Sequence, residues 1–174
     1  IKLDFARQQV LALNEKYEAL SRKDFSNSTN LLSTDNLEGI TEGEQILRKI
    51  IEPWKGKIIL IDVWGTWCGP CKEALKHSQE LYERMKAYDM FFLYMANNSS
   101  ETSWKNVINE YNVTGENVGH VNLPADQQSA VEDFLKVNSY PSYFLIDREG
   151  HLLEVNADPR NLDQFEELVK RVGK

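Results

Sequence analysis

Cysteine is almost absent from this chain: Cys68 and Cys71 are the only two in 174 residues. A multi-disulfide framework is therefore excluded, and the pair has to be explained where it stands. The formal net charge is −7 and no Lys/Arg block stands out, so the electrostatic footprint of a nucleic-acid binder is missing and acidic partners are disfavoured. The longest apolar runs, IILI at 58–61 and MFFLYMA at 90–96, fall far short of the roughly 20 residues that cross a bilayer. Histidine is scarce as well. A zinc site needs about four ligands, and only His77, His120 and His151 could join the cysteines, at unsuitable spacing. His77 would lie about half a turn around a helix from Cys68, so no metal is expected and all three histidines are read as ordinary surface or partly buried residues. The opening IKLDFARQQV has no initiator methionine and no cationic-then-apolar signal region. The chain is expected to be a processed or truncated product whose address label has been removed, and a membrane tether would run only through that removed segment.

What is present fits one domain with a continuous core, at roughly 100–200 residues per domain. Residues 1–50 read as a helical N-terminal extension or linker, and 51–174 as the main domain. Val10, Leu13, Tyr17 and Leu20 recur at helical spacing, predicting an amphipathic helix over 3–22 whose apolar stripe needs a partner surface. SNSTNLLSTDN at 26–36 reads as a loop or linker, and a short helix over 43–51 is stopped by Pro53. KIILIDVW at 57–64 and MFFLYMA at 90–96 lack polar alternation, as strands of a sheet covered on both faces do. Between them a helix over 71–88 turns Ala74, Leu75, Ser78, Leu81, Tyr82 and Met85 inward. An inserted segment at about 97–137 holds a helix near 101–111, a strand near 118–123 and a helix near 126–137. SYFLID at 142–147 and HLLEV at 151–155 flank a tight Arg-Glu-Gly turn and read as a hairpin. The last helix spans 162–172, capped by Asn161 with Gln164 three residues on. Right-handed crossovers make the first strands parallel and the hairpin adds an antiparallel edge. The expected fold class is α/β, a mixed central sheet with helices on both faces.

In this frame WGTWCGPCKEAL at 64–75 places Cys68 and Cys71 at a strand-to-helix turn, at the carboxyl end of a strand, where open α/β sheets hold their sites. Residues three apart on a first helical turn share a face, close enough for the sulfurs to join, and Pro70 sits where a missing N–H costs nothing. Unpaired N–H groups and the helix dipole stabilise a thiolate on Cys68, lowering its pKa from about 8.5 toward the roughly 3.5–7.5 range of reactive CxxC thiols. Cys71, one turn deeper, is less exposed and suited to breaking a mixed disulfide. Asp62 interrupts an apolar strand on the same face as Leu60 and Trp64.

WCGPC, preceded by IILIDVW and followed about seventy residues later by YPSYFLIDREG, resembles the thioredoxin superfamily. The inserted segment and the Asp-Arg-Glu-Gly turn are similar to its extracytoplasmic TlpA/ResA-like branch of thiol-disulfide oxidoreductases. The resemblance covers residues 50–174. It implies a thioredoxin-like fold, reversible two-cysteine disulfide exchange with a protein or small thiol, an upstream thiol electron donor and no cofactor. It also implies a buried acid behind the cysteines at Asp62, whose pKa burial would raise so that it could take the proton from Cys71, and a cis proline facing the disulfide at Pro141. Trp67, Gly69, Pro70, Tyr140 and Pro141 would form the docking surface. Tyr140 departs from the smaller residues that often precede that proline, which points to substrate selection. Ala74 stands where ResA-like proteins carry a glutamate, which argues against specialisation for cytochrome maturation. The Gly-Pro dipeptide resembles that of reductases more than that of strong oxidants, and cysteine confined to one pair suits a bacterial periplasm.

Blander readings stand beside these. Cys68 and Cys71 can form a structural disulfide or half of a zinc site. Asp62 can be an acid hydrogen-bonded at a strand end, Pro141 a trans proline opening a strand, and Trp64 packing alone. The triplets at Asn27, Asn97, Asn98 and Asn112 matter only in a eukaryotic secretory setting that nothing else supports. At the level of function, a peroxiredoxin-like peroxidase would require proline at 61 and threonine at 65, where the chain has Ile61 and Gly65. A non-catalytic binding module would use the groove around Trp67 and Tyr140.

Overall fold

The structure, a computed structural model, describes residues 2–21 and 30–174. Helix α1 (Lys2–Ser21) leads to strand β1 (Asn30–Leu31) and helix α2 (Gly43–Ile51). Then come β2 (Ile58–Trp64), α3 (Gly69–Leu75), α4 (Ser78–Met85), β3 (Met90–Ala96), α5 (Glu101–Glu110), β4 (Val118–Val121), α6 (Ala125–Leu135), β5 (Ser142–Ile146) and α7 (Leu162–Val172). The sheet runs β1-β4-β3-β2-β5. β2 and β3 pair in parallel from Ile58 opposite Met90 to Trp64 opposite Ala96, and β5 lies antiparallel on β2.

Both central strands are buried along their whole length, because alternate side chains enter two separate cores. Ile58, Leu60 and Trp64 meet Leu75, Leu81 and Met85 of α3 and α4 and Phe165 of α7 on one face. Ile59, Ile61 and Val63 meet Ile46, Leu47 and Ile50 of α2 and Val131 and Leu135 of α6 on the other. This is the mixed sheet with helices on both faces that the pattern of apolar runs predicts.

Several local expectations change. The helix expected over 71–88 begins at Gly69 and breaks after Leu75, where the His77 amide donates to the Ala74 carbonyl at 3.1 Å. A second helix then restarts at Ser78. Within the run read as a loop or linker, Asn30–Leu31 forms a strand parallel to β4, and the Leu32 amide donates to the His120 carbonyl at 2.8 Å. Residues 26–29 of that run, Asn27 among them, lie outside the described residues. HLLEV is not a strand: beyond a single bridge from Ile146 to Leu152 it has no ladder, and Leu152 and Val155 are exposed. An arm outside the edge strand has a partner on one side only and little apolar surface to bury. Along α1, Val10 and Leu13 are exposed, and the helix is tied to α5 by the Lys16–Glu110 ion pair at 3.4 Å. Tyr17 and Leu20, the rest of the expected stripe, have side chains outside the described residues.

α2 joins the second core through a backbone approach. A Cβ on Gly43 would meet the carbonyl carbon of Ala130 in α6 at 2.5 Å and the Val131 amide nitrogen at 2.9 Å. Backbone atoms of a packed helix cannot swing aside, so the two helices must separate. Gly43→Ala is expected to lower stability in denaturant titration by about 1–3 kcal/mol, the usual cost of overpacking, within a single unfolding transition. An unchanged midpoint would show that α2 is not part of the cooperative fold.

Candidate active site

The chain leaves β2 at Trp64 and turns through Gly65–Cys68 before α3 begins. The Cys68 amide donates to the Gly65 carbonyl at 3.0 Å, closing that turn. Cys68 is the N-cap of α3, with extended backbone (φ −93°, ψ 108°), and its Sγ accepts a hydrogen bond from the Cys71 amide at 3.2 Å. In a helix the first amides have no carbonyl partner, and here a sulfur takes the place usually held by a serine or aspartate oxygen. Cys68 and Cys71 are joined as a disulfide, with Cα atoms 5.3 Å apart. Cys68 is 4 % exposed and Cys71 1 %. Gly69 and Pro70 form the exposed first turn of α3.

Around the disulfide stands an aromatic rim. Trp67, 52 % exposed, is folded back so that a Cβ on Gly65 would collide with its indole. Its Nε1 donates to the Asn97 carbonyl at 3.0 Å. The Tyr140 ring meets it edge-on, centroids 5.1 Å apart at 75°. The Tyr140–Pro141 bond is cis and Pro141 is buried. Ser142, the first residue of β5, pairs with Val63, so Tyr140 and Pro141 lie at the end of β2 from which the cysteine turn departs. Burial, reinforced by a hydrogen bond to Glu132, pushes the Tyr140 hydroxyl up to about 12. Asn97 and Glu132 had no local sequence signal; both are polar residues in the inserted segment whose partners lie far away in the chain.

Asp62 sits between Tyr94 of β3 and Tyr143 of β5 in register. It is 7 % exposed, and its Oδ1 has no hydrogen-bond partner among the described residues. Burial pushes its carboxyl up to about 8, opposed by the Arg160 cation and helped by Asp158. It opens onto a cleft of about 750 Å³ that is also lined by Pro70, Ala74 and Leu75 of α3, Tyr143 and Arg160. Arg160 lies over the Tyr143 ring at 5.7 Å. Neither Arg160 nor Tyr143 could be assigned to this acid from the sequence, because one follows β5 by more than a dozen residues and the other belongs to an otherwise apolar strand.

The histidines divide. His77 and His151 are exposed, as expected. His120 is completely buried in β4, contrary to expectation: it is stacked on Tyr94 at 4.9 Å, and its Nε2 lies 2.7 Å from the Val113 carbonyl. Desolvation pulls its pKa down to about 4, so it is neutral at physiological pH. Among the described residues, Asp147, Glu149 and His151 bring ligand atoms within 4.8 Å of one another. That group belongs to the exposed turn at the far end of β5 from Pro141, and Asp147 Oδ1 already accepts the Glu149 and His151 amides.

Comparison with known proteins agrees with this geometry. The chain is similar to the thiol-disulfide oxidoreductase ResA of Bacillus thuringiensis (strain Al Hakam), with 26 % identity over 131 residues, covering 75 % of this chain and 70 % of that protein. The ResA of Bacillus subtilis (strain 168) is 31 % identical over 103 residues, 58 % of this chain and 53 % of that one. Among solved structures, a thiol:disulfide interchange protein of the thioredoxin family from Chlorobium tepidum TLS superposes with a TM-score of 0.59 at 21 % identity, covering 71 % of this chain and 85 % of that one. At that identity the likeness is one of fold. The Thioredoxin-like family matches residues 56–152, from the residues just before β2, through the cysteine turn and the cis proline, to the turn beyond β5. The chain belongs to the thioredoxin-like family.

Proposed function

We propose that this thiol-disulfide oxidoreductase reduces disulfide bonds in protein substrates, with Cys68 attacking and Cys71 resolving. The observation that carries the reading is the Cys71 amide directed at Cys68 Sγ, 3.2 Å away, at the start of α3. In the reduced protein that amide and the helix dipole favour negative charge on Cys68. The Cys68 thiolate attacks one sulfur of the substrate disulfide, a mixed disulfide forms, and the other substrate sulfur leaves as a thiolate. Cys71 then loses its proton and attacks Cys68 Sγ, releasing the second substrate thiolate and leaving the Cys68–Cys71 disulfide. An upstream thiol donor returns two electrons to that disulfide. Asp62 is the acceptor of the Cys71 proton: a base is most effective when its pKa lies near the working pH, and burial holds this carboxyl at about 8. Trp67, Gly69, Pro70, Tyr140 and Pro141 form the surface through which the substrate sulfur reaches Cys68. The setting inferred is extracytoplasmic and bacterial, since a chain whose cysteines are confined to one redox pair suits a compartment that oxidises stray thiols. No described helix is long and apolar enough to cross a membrane.

Cys68→Ser is expected to abolish reduction of insulin disulfides, and Cys71→Ala to accumulate the substrate as a mixed disulfide on Cys68 that mass spectrometry can identify. Full activity of the serine variant would remove Cys68 as the nucleophile.

Asp62→Asn separates proton transfer from structure through pH. Turnover of the parent protein should rise with pH through about 8. The variant should lose that rise and turn over on the order of 10²-fold more slowly at pH 8; an identical profile would leave Asp62 without a part in proton transfer. Stability should move the other way. The folded carboxyl titrates at about 8 and the unfolded one near about 3.9, so between these values the native state binds more protons. Native stability therefore falls as pH rises through that window. The variant lacks this loss, and its advantage in melting temperature should be smallest near pH 4, widen toward pH 8 and level off above.

A further inference from the structure

Four residues from four separate parts of the fold close a ring beside the disulfide. Trp67, in the cysteine turn, donates from Nε1 to the carbonyl of Asn97, which follows β3, at 3.0 Å. Asn97 Nδ2 donates to Oε2 of Glu132, on α6, at 2.7 Å. Glu132 Oε1 accepts from the hydroxyl of Tyr140, the residue before the cis proline. The Tyr140 ring returns to the Trp67 indole edge-on at 5.1 Å. Glu132 is 6 % exposed and lies on the inward stripe of α6 with Val131 and Leu135. A carboxylate suits this point because it offers one oxygen to the Asn97 side-chain amide and the other to the Tyr140 hydroxyl. Glutamine keeps the ring closed, its oxygen accepting from Asn97 and its N–H donating to the Tyr140 hydroxyl oxygen, whereas leucine opens it.

We propose that Glu132 is a positioning residue that determines specificity: it locks Tyr140 and Trp67 into one rigid wall beside Cys68, selecting substrates whose disulfide is flanked by polypeptide over small disulfides. The inference rests on the reductase reading above. Trp67 presents an apolar face more than half exposed, which a chain running past the substrate cysteine covers and a small aliphatic disulfide does not reach. Pre-organising that wall removes an ordering cost from substrate binding. Glu132 has no role in the bond exchange itself, so its contribution falls on KM for protein substrates and not on the reactivity of the cysteines.

The test compares the parent protein with Glu132→Leu, which removes both acceptor oxygens, on insulin and on hydroxyethyl disulfide, with Glu132→Gln as the variant expected to keep the parent KM and Tyr140→Phe to break the link from the tyrosine side. Glu132→Leu is expected to raise KM for insulin by about tenfold, the scale of one hydrogen bond to a charged group, with kcat and the hydroxyethyl disulfide rate unchanged; Tyr140→Phe, which alters the docking surface itself, is read by the indole N–H alone. Solvent exchange of the Trp67 indole N–H, followed by NMR in the full chain, should accelerate by a similar factor. An unchanged insulin KM in Glu132→Leu overturns the proposal, as does an insulin rate that falls in parallel with the hydroxyethyl disulfide rate, which would assign Glu132 to the cysteines. Unaltered indole exchange in folded Tyr140→Phe also overturns it. Should the parent protein fail to reduce either disulfide, the reductase reading fails, and the exchange measurement still reports on the ring.

Discussion

A sulfur held against unpaired amides at the first turn of a helix is the interaction on which the rest of this molecule depends. Helix termini leave four amides without carbonyl partners, and the chain directs one of them, from Cys71, at Cys68 Sγ. Everything nearby serves that placement. β2 delivers the chain to the turn as a strand buried on both faces, so the turn starts from a fixed point. Pro70 occupies an early helical position where no N–H is needed. The amide of Asn97 ties the end of β3 to the Trp64 carbonyl at 2.7 Å, holding the two central strands level where the turn departs.

The same sheet carries a destabilising feature beneath its site. An acid with an unpartnered oxygen in a buried strand opposes folding wherever it is ionised, and the surroundings of Asp62 relieve little of this. The tyrosines that pair with it on the flanking strands, Tyr94 and Tyr143, are themselves held far above their ordinary ionisation range by burial. The Tyr94 and Tyr82 hydroxyls share a hydrogen bond at 2.7 Å. The compensating cation, Arg160, is shared with Asp158, which it contacts at 2.6 Å. The carboxyl therefore stays neutral through most of the physiological range. Instability of this kind is what functional sites retain.

Much of this was legible in the sequence because it follows from local pattern. The unbroken apolar runs at 58–64 and 90–96 announce a doubly covered sheet, Asn161 caps α7 through the Gln164 amide at 3.2 Å, and the spacing of Cys68 and Cys71 on a strand-to-helix turn brings their sulfurs together. What stayed hidden depends on partners distant in the chain. β1 is two residues in a polar run, and only the open edge of β4 makes them a strand. The break between Leu75 and Ser78 occurs in a stretch whose apolar spacing continues across it. His120 is buried because every residue of the four-residue strand β4 is buried; its neighbours Val118 and Val121 carried that signal. Glu132 lies on a helix whose inward stripe also holds Gln127 and Gln128, a mixture that reads as polar until Asn97 and Tyr140 are placed opposite it.

The acidity of Cys68 is open to direct measurement. In the reduced protein, the rate of alkylation of Cys68 by iodoacetamide, followed across pH with Cys71 replaced by alanine, reports the thiolate fraction at that sulfur. The account predicts a midpoint in the roughly 3.5–7.5 range of helix-start thiolates, with rapid reaction at neutral pH. A midpoint at or above about 8.5, the value of an ordinary cysteine, would contradict it.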